Sequence, residues 1–520
     1  PSMLIRRRRF LAASGLLAAG CTTSSPIGFA PRPAGPLTAD EARWLNRLTW
    51  GVNDSAAAEL KANGRERWLH EQLQPAPWPS RLPAPVQVRL LQLTISQVPV
   101  AELARRLEAQ RKAVDDKPEG EARTAARQAL QQETARLGRE AATRQVWRAL
   151  YSPRQLQDQM GWFWLNHFNV HGQKASLRAL MADYDDRLHE LALGRFRDLL
   201  GTVVFHPAML RYLDNDQNAV KRINENLGRE LLELHTLGVD GGYSQQDVQE
   251  LARVLTGLGV NLGVKLGDEP PRKGNAKAGP PVRRGLAEFN PARHDFGPKT
   301  LLGQAVQGEG LAEIEGVLDR LARHPSTARH VCRKIAQFLM ADRPPAGVVE
   351  RMANTYLQRD GRVDEVLRTL FAEPEFAASL GQRFKDPLHF VLSAVRQAWG
   401  DTPIANPEPV LNWLQRLGQA PYGHTTPDGY PLDSMAWTGP GQLTTRFDVA
   451  KQIGSGAPAL FRTDDSTPAG QAPAPQLKGA LFLEALLPQV SAASRQVLAQ
   501  AGNAREWNTY WLSSPEFMQR

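Results

Sequence analysis

From Thr38 onward, apolar positions recur three and four residues apart, the period of helices with one buried stripe, and strand-like alternation is almost nowhere sustained. The pattern predicts a mainly α chain, a multi-helical globular array with a long helical hairpin and a small β-hairpin insertion. Thr38, followed by Asp40 and Glu41, supplies a cap and an acidic first turn. Ser55 to Asn63 and Arg65 to Leu73 make two further helices. Leu90 to about Lys112 and Glu121 to about Tyr151 are charged, alanine-rich arms broken at Asp115 to Gly120, which is the outline of a hairpin with one apolar seam. Between Trp147 and Gly172 the character changes. Leu156, Met160, Trp162, Phe163, Trp164, Phe168 and Val170 give a density of large apolar side chains that belongs in a core.

The chain is organised around Asn224 to Thr256, which reads as a helix, a tight turn and a second helix. Leu227, Leu231 and Leu234 form one stripe, while Asn226, Glu230 and Glu233 line up at i, i+4 and i+7 on another face. Gly238 supplies a left-handed stop, Asp240-Gly241-Gly242 turns the chain, and Ser244 with Asp247 makes a capping box for the next helix. The same acids also spell a structural alternative. Glu225, Arg229 and Glu233 are spaced i, i+4 and i+8, a ladder of alternating charge along one helix edge.

Residues 261–284 carry Gly, Lys, Pro and Arg with little apolar material and read as an exposed, mobile insertion; Phe289 to Gly303 reads as a short hairpin. Helices resume at Leu311 and close the chain. The loop from Gly418 to Gly441, with Tyr422, His424, Tyr430 and Trp437, is long enough to carry function or wrap the surface. The segmentation is therefore an N-terminal helical region over 38–260, an insertion with a hairpin over 261–304, and a C-terminal helical region over 305–520.

Composition adds an address and removes one class of partner. A chain of 520 residues with 42% hydrophobic content can bury a large core, and its length suggests two to four domains. The formal charge of +9 is spread among acids at helical spacing, apart from Arg6 to Arg9, and no basic cluster is interleaved with aromatics. That pattern predicts a solvated basic surface with a weak attraction to anionic polymers, and no nucleic acid. Arg6 to Arg9, then Phe10-Leu11 and the small apolar run Ala12 to Ala19, read as an export signal over 1–21 of the twin-arginine type. Leu16 to Cys21 resembles a lipoprotein cleavage box, and 22–37 reads as a flexible tether. The expected location is the periplasm or cell envelope, with membrane attachment only through a lipid on Cys21. The other cysteine, Cys332, sits in an amphipathic helical pattern, so no disulfide framework is expected.

Two sets of residues carry candidate chemistry. His167 and His171 stand four apart, which on a continuous helix places two imidazoles on one face at metal-ligand spacing. Glu230, Glu233 and His235, joined by His167 from a packed neighbour, would give a carboxylate and imidazole site for a divalent transition metal: iron, manganese or zinc. A metal-free reading uses Glu230, Glu233 and Asp247 as acid and base, with Asp247 or Glu250 supplying the second carboxylate from the following helix. Nucleophile-elbow, phosphate-loop and dinucleotide motifs are absent in useful context, which argues against an esterase, a nucleotide hydrolase and a dehydrogenase. The functional expectation is a metal-assisted enzyme, hydrolytic or oxidative, acting on an envelope or extracellular substrate. The alternative is a non-catalytic helical scaffold that binds a glycan or a partner protein.

Several stretches together resemble a large bacterial family catalogued as domain of unknown function 1800. They are Trp162 to Val170, Ala192 to Asp198, Asn224-Glu225-Asn226 with Arg229 to Gly238, His294-Asp295 before Lys299, Gly429-Tyr430-Pro431 and Ser514 to Phe517. The resemblance spans about residues 38 to 520. It implies an exported, mainly helical protein, often encoded beside a sulfatase-like partner, and no settled activity. Members of that family tend to carry histidine where Leu191 stands.

Overall fold

A computed structural model describes residues 36–77, 82–172, 174, 177–263, 279–462 and 472–520. The export signal, Cys21, all but the last two residues of the tether, and 264–278 of the insertion lie outside the described residues.

The fold is mainly α, and its helices enclose one continuous cluster of buried side chains running from Leu37 to Met518. Residues far apart in sequence close this core. The Trp147 indole donates to the Ile404 carbonyl at 3.1 Å, and Arg396 Nε donates to the Gly51 carbonyl at 2.9 Å. The helical hairpin is present as Val100–Asp115 and Glu121–Tyr151, with Leu103, Leu107, Leu137 and Ala179 forming a small satellite core at its base. Its first arm is shorter than periodicity suggested. Leu93, at φ −68° and ψ 139°, splits its start into two short helices, Ala84–Gln92 and Thr94–Gln97, and Pro99 holds Val98 extended before the long arm begins.

The β structure is richer than one hairpin. Strands β1 (Leu258–Val260), β2 (Val282–Arg284) and β3 (Ala287–Phe289) form an antiparallel sheet in the order β1-β3-β2. Thus the first helical region ends on a strand, and the C-terminal end of the expected mobile insertion is β2. The hairpin placed at Phe289 to Gly303 is instead β4 (Thr300–Leu301) against β5 (Gln304–Ala305), turned by Leu302 and Gly303, both at positive φ. Strands of two and three residues are too short to display a period.

Every residue of the Gln155–His167 helix is buried, as its aromatic density predicted. The Trp164 indole donates to the Ala192 carbonyl at 2.9 Å, and Phe196 packs on both Trp164 and Phe168. The helix stops at His167 because Phe168 leaves helical dihedrals, with φ −106° and ψ 50°. His171 therefore lies beyond the helix, and the expected pair of imidazoles on one helix face is not formed.

The central segment begins as the Asn226–Glu230 α-helix and continues as a π-helix over Leu231–His235. The Thr236 hydroxyl donates to the Leu231 carbonyl at 2.5 Å, and the Gly238 amide returns to Leu232 at 3.2 Å. The Ser244 and Asp247 capping box opens the Gln245–Val254 helix as expected. That helix crosses the first at Gly228, where a Cβ would stand 3.1 Å from the Ala252 nitrogen.

Candidate functional site

The π-turn sets the local chemistry. A π-helix bonds i to i+5, so it widens the turn and changes which carbonyls find a helical amide. With Gly238 bonded back to Leu232, the next carbonyls are taken by imidazoles from two other helices. His330, in the Pro325–Leu339 helix, donates Nε2–H to Leu234 at 3.0 Å, and His167 donates Nε2–H to His235 at 3.1 Å. Gly238 is required here twice over. Its φ is +87°, and a Cβ would stand 2.7 Å from His330 Nδ1.

His235 itself is fully buried, its ring centroid 5.9 Å from that of His167 and 5.2 Å from Phe168. His167 Nδ1 has no hydrogen-bond partner, and the ring nitrogens of His235 have none but the Pro427 backbone, which draws the imidazole slightly up. Burial, reinforced by the Lys334 charge and then by His330, presses the His235 imidazole down to about 3. Burial and Lys334 likewise hold His167 well below the usual histidine range and press His330 to about 4. All three rings are therefore neutral near pH 7.

The acids lie along the other side of the segment. Glu230 is half-buried, and its carboxyl is raised by that burial, then by the charges of Glu233 and Asp428, against Arg229. Asp428 comes from the long loop. Burial pushes its carboxyl up, yet hydrogen bonds from the Thr426 hydroxyl at 2.6 Å and His424 Nε2 at 3.2 Å hold it below the usual range. Tyr212 feels both acids; its phenol is raised by burial, then by Glu230 and Asp428, and donates to the Thr425 carbonyl at 2.8 Å. Lys334 is pressed down to about 8 by burial, with the Asp428 charge opposing. Glu230, Asp428, Tyr212 and Lys334 thus share one electrostatic neighbourhood.

Two asparagines hold the loop in place. Asn166 accepts from the Tyr430 amide at 2.7 Å and donates to the Tyr430 carbonyl at 2.9 Å, while Asn169 donates to the Thr426 carbonyl at 2.7 Å. Gly429, at φ +76°, lets this happen, because a Cβ there would stand 2.1 Å from the Asn166 carbonyl. The two family-like stretches around His167 and Gly429 are in direct contact.

The residues singled out from sequence sort as follows. Glu230 stands in the acid neighbourhood, and Glu233 lies beside Tyr243, whose phenol is raised by burial and then by that carboxylate. His167 and His235 do meet, but beneath the π-turn, with His167 Nε2 committed to a carbonyl. Among the described residues no three His, Cys, Asp or Glu side chains are grouped so as to hold a metal ion. Asp247 accepts from the Ser244 amide at 2.8 Å and from the Leu302 amide at 2.6 Å, which ties the helix to the β4-β5 hairpin. Glu250 is held by Arg253 at 2.9 Å and by the Thr300 amide at 2.9 Å. The charge ladder is half-made. Arg229 bonds Glu225 at 2.8 Å and Gln245 at 3.0 Å, and among the described residues it makes no ion pair with Glu233.

Asp428, Lys334, Tyr212 and His330 were not anticipated. Pro427-Asp428-Gly429 is legible as a turn, and Lys334 and His330 read as the polar half of an amphipathic helix; neither pattern signals convergence. The family-like His294, Asp295 and Lys299 make a separate buried group. Lys299 pairs with Glu313 at 2.7 Å and Asp295 with Arg253 at 2.8 Å, which anchors the insertion.

Residues 43–519 match the model of a family described as protein of unknown function (DUF1800). No curated protein and no solved structure matches the chain.

Proposed function

The chain belongs to the DUF1800 family, which brings no activity with it, and we propose from the site alone that the protein is an exported enzyme hydrolysing an envelope or extracellular substrate. Glu230 acts as general acid and Asp428 as general base. One observation supports this most: Glu230 feels the Asp428 charge, and the two carboxyls are pushed in opposite directions, Glu230 up and Asp428 down. Such a split leaves one group protonated while its neighbour is ionised, which is what paired acid–base chemistry needs. Lys334 adds a cation for an anionic group of the substrate or for charge developing on it, and the aromatic loop from Tyr422 to Trp437 suits a glycan.

A metal-assisted variant uses the same acids. Glu230 and its electrostatic neighbours Glu233 and Asp428 would be the oxygen donors for iron, manganese or zinc; among the described residues they are not grouped as a metal site, so this variant requires the acids to draw together on the ion. Elemental analysis separates the two. A stoichiometric metal lost in Glu230→Gln supports the assisted version.

The main test is turnover of envelope polysaccharides and chromogenic glycosides and esters by the wild type, Glu230→Gln and Asp428→Asn. Each variant should lose roughly 10²- to 10⁴-fold in rate with its thermal midpoint kept. If the wild type turns over nothing, or both variants match it, the catalytic reading fails. The chain is then a scaffold for a glycan or for an exported, sulfatase-like partner.

A further inference from the structure

A cavity of about 270 Å³ is lined by none of Glu230, Asp428, Tyr212 and Lys334. Its wall includes Arg43, Lys385, Ser393, Gln397, Trp511 and Arg520. Lys385 is 2% exposed; its ammonium donates to the Ser393 hydroxyl at 3.0 Å and lies 3.9 Å from the centroid of the Phe517 ring. Arg520 is also 2% exposed. Its Nη2 donates to the Phe338 carbonyl at 2.8 Å, but Nε and Nη1 have no hydrogen-bond partner.

The charges behind the wall make this imbalance larger. Arg47 and Arg446 are wholly buried and bond main-chain oxygens, Arg47 that of Arg520 at 2.7 Å and Arg446 that of Lys385 at 2.7 Å. The carboxylate among them, Asp386, is taken by His389 at 2.9 Å. Glu516, on the rim, accepts from the Ser491 amide at 3.0 Å and the Ser494 hydroxyl at 2.8 Å. Five buried cations, Arg47, Arg383, Lys385, Arg446 and Arg520, thus stand against two carboxylates, Asp386 and the Asp342 that pairs with Arg383 at 2.9 Å, which leaves a surplus of positive charge. Unpaired buried charge is costly, and a cavity beside it is where a counter-charge would sit.

We propose that this cavity binds a small oxyanion, the carboxylate or phosphate head of a compact ligand, between Lys385 and Arg520, with the uncharged remainder against Trp511. The cavity has room for the volume of roughly nine water molecules, which suits such a ligand and excludes a polymer. Without an anion, burial and then the charges of Arg520 and Arg446 hold the Lys385 ammonium well below the usual lysine range. The site is separate from Glu230 and Asp428 and stands whether or not the hydrolytic reading does.

The test is calorimetric titration of the full chain, in chloride buffer at constant ionic strength, with inorganic phosphate and separately with acetate. Saturable binding of one probe per chain is expected, and the two arms decide which headgroup is preferred. Lys385→Met keeps the stem and removes the charge. It should bind the preferred probe roughly tenfold or more weakly and melt no lower than wild type in chloride, because an apolar replacement for an unpaired buried cation is neutral or stabilising. Gln397→Glu places a fixed carboxylate in the wall while keeping the acceptor for the Trp511 indole, which bonds Gln397 at 2.9 Å, and should weaken binding likewise. If Lys385→Met does not fold, Gln397→Glu alone decides. No saturable binding of either probe, or wild-type affinity in both variants, overturns the assignment.

Discussion

His167 Nε2 donates to the main-chain oxygen of His235 at 3.1 Å, so two imidazoles that a metal site would have pointed at one ion are related instead as donor and backbone acceptor. The neighbouring His330 repeats the relationship on Leu234 at 3.0 Å. The π-turn thus converts a sequence of candidate ligands into a buried floor of neutral rings.

That floor makes stability depend on acid pH. The folded-state values of His235 and His330, about 3 and about 4, lie below the ordinary histidine value of 6.5. Because the unfolded chain takes up protons first, their contribution is fully present above pH 6.5 and is lost as pH falls from there toward 4. Each histidine contributes a slope of up to about 1.4 kcal/mol per pH unit. Urea unfolding from pH 7 to pH 4 should show this decline, and His235→Phe should flatten it while staying within about 1 kcal/mol of wild type at pH 7. An unchanged slope in His235→Phe would show that this ring does not titrate with unfolding.

Lys334 controls the same rings. Its charge lowers His235, His330 and His167, so Lys334→Met should raise all three. Proton NMR titration of the imidazole resonances reads this directly. Because the shift comes first from burial, the rings should move toward 6.5 without reaching it.

Much of this architecture is legible in the residues themselves. The Ser244-Asp247 box, the helical hairpin and the buried aromatic run follow from spacing and side-chain chemistry alone. The π-turn does not, because an apolar stripe at Leu227, Leu231 and Leu234 fits i+4 and i+5 bonding equally well, and the difference decides where Glu233 and His235 point. Asp428 and Lys334 were invisible for another reason. Asp428 comes to Glu230, and Lys334 to Asp428, only through tertiary packing, from a loop and a helix about 200 and 100 residues downstream of Glu230.

Gly238 should tolerate no side chain. With φ at +87° and His330 Nδ1 2.7 Å from a built Cβ, Gly238→Ala carries a left-handed cost of about 1–2 kcal/mol plus displacement of the imidazole from the Leu234 carbonyl. A loss of roughly 2 kcal/mol or more in denaturant unfolding is expected. A loss under about 0.5 kcal/mol would mean that the turn relaxes freely.

The loop that brings Asp428 to the acids hangs on Asn166, whose amide makes both hydrogen bonds to Tyr430. Asn166→Ala should release the loop, since two main-chain groups lose their partner at about 1–3 kcal/mol for each one left buried. If Asp428 is the base, turnover should fall with this variant and the Asp428 influence on Glu230 should fade. The pH profile then separates catalysis from mere loosening. In the wild type, activity requires Asp428 ionised and Glu230 protonated, so the rate rises through the lowered Asp428 value and falls through the raised Glu230 value. Releasing Asp428 removes one negative neighbour from Glu230, which moves the falling limb toward lower pH. A variant that slows turnover with both limbs unmoved would place Asn166 in folding alone and leave Asp428 without its assigned part.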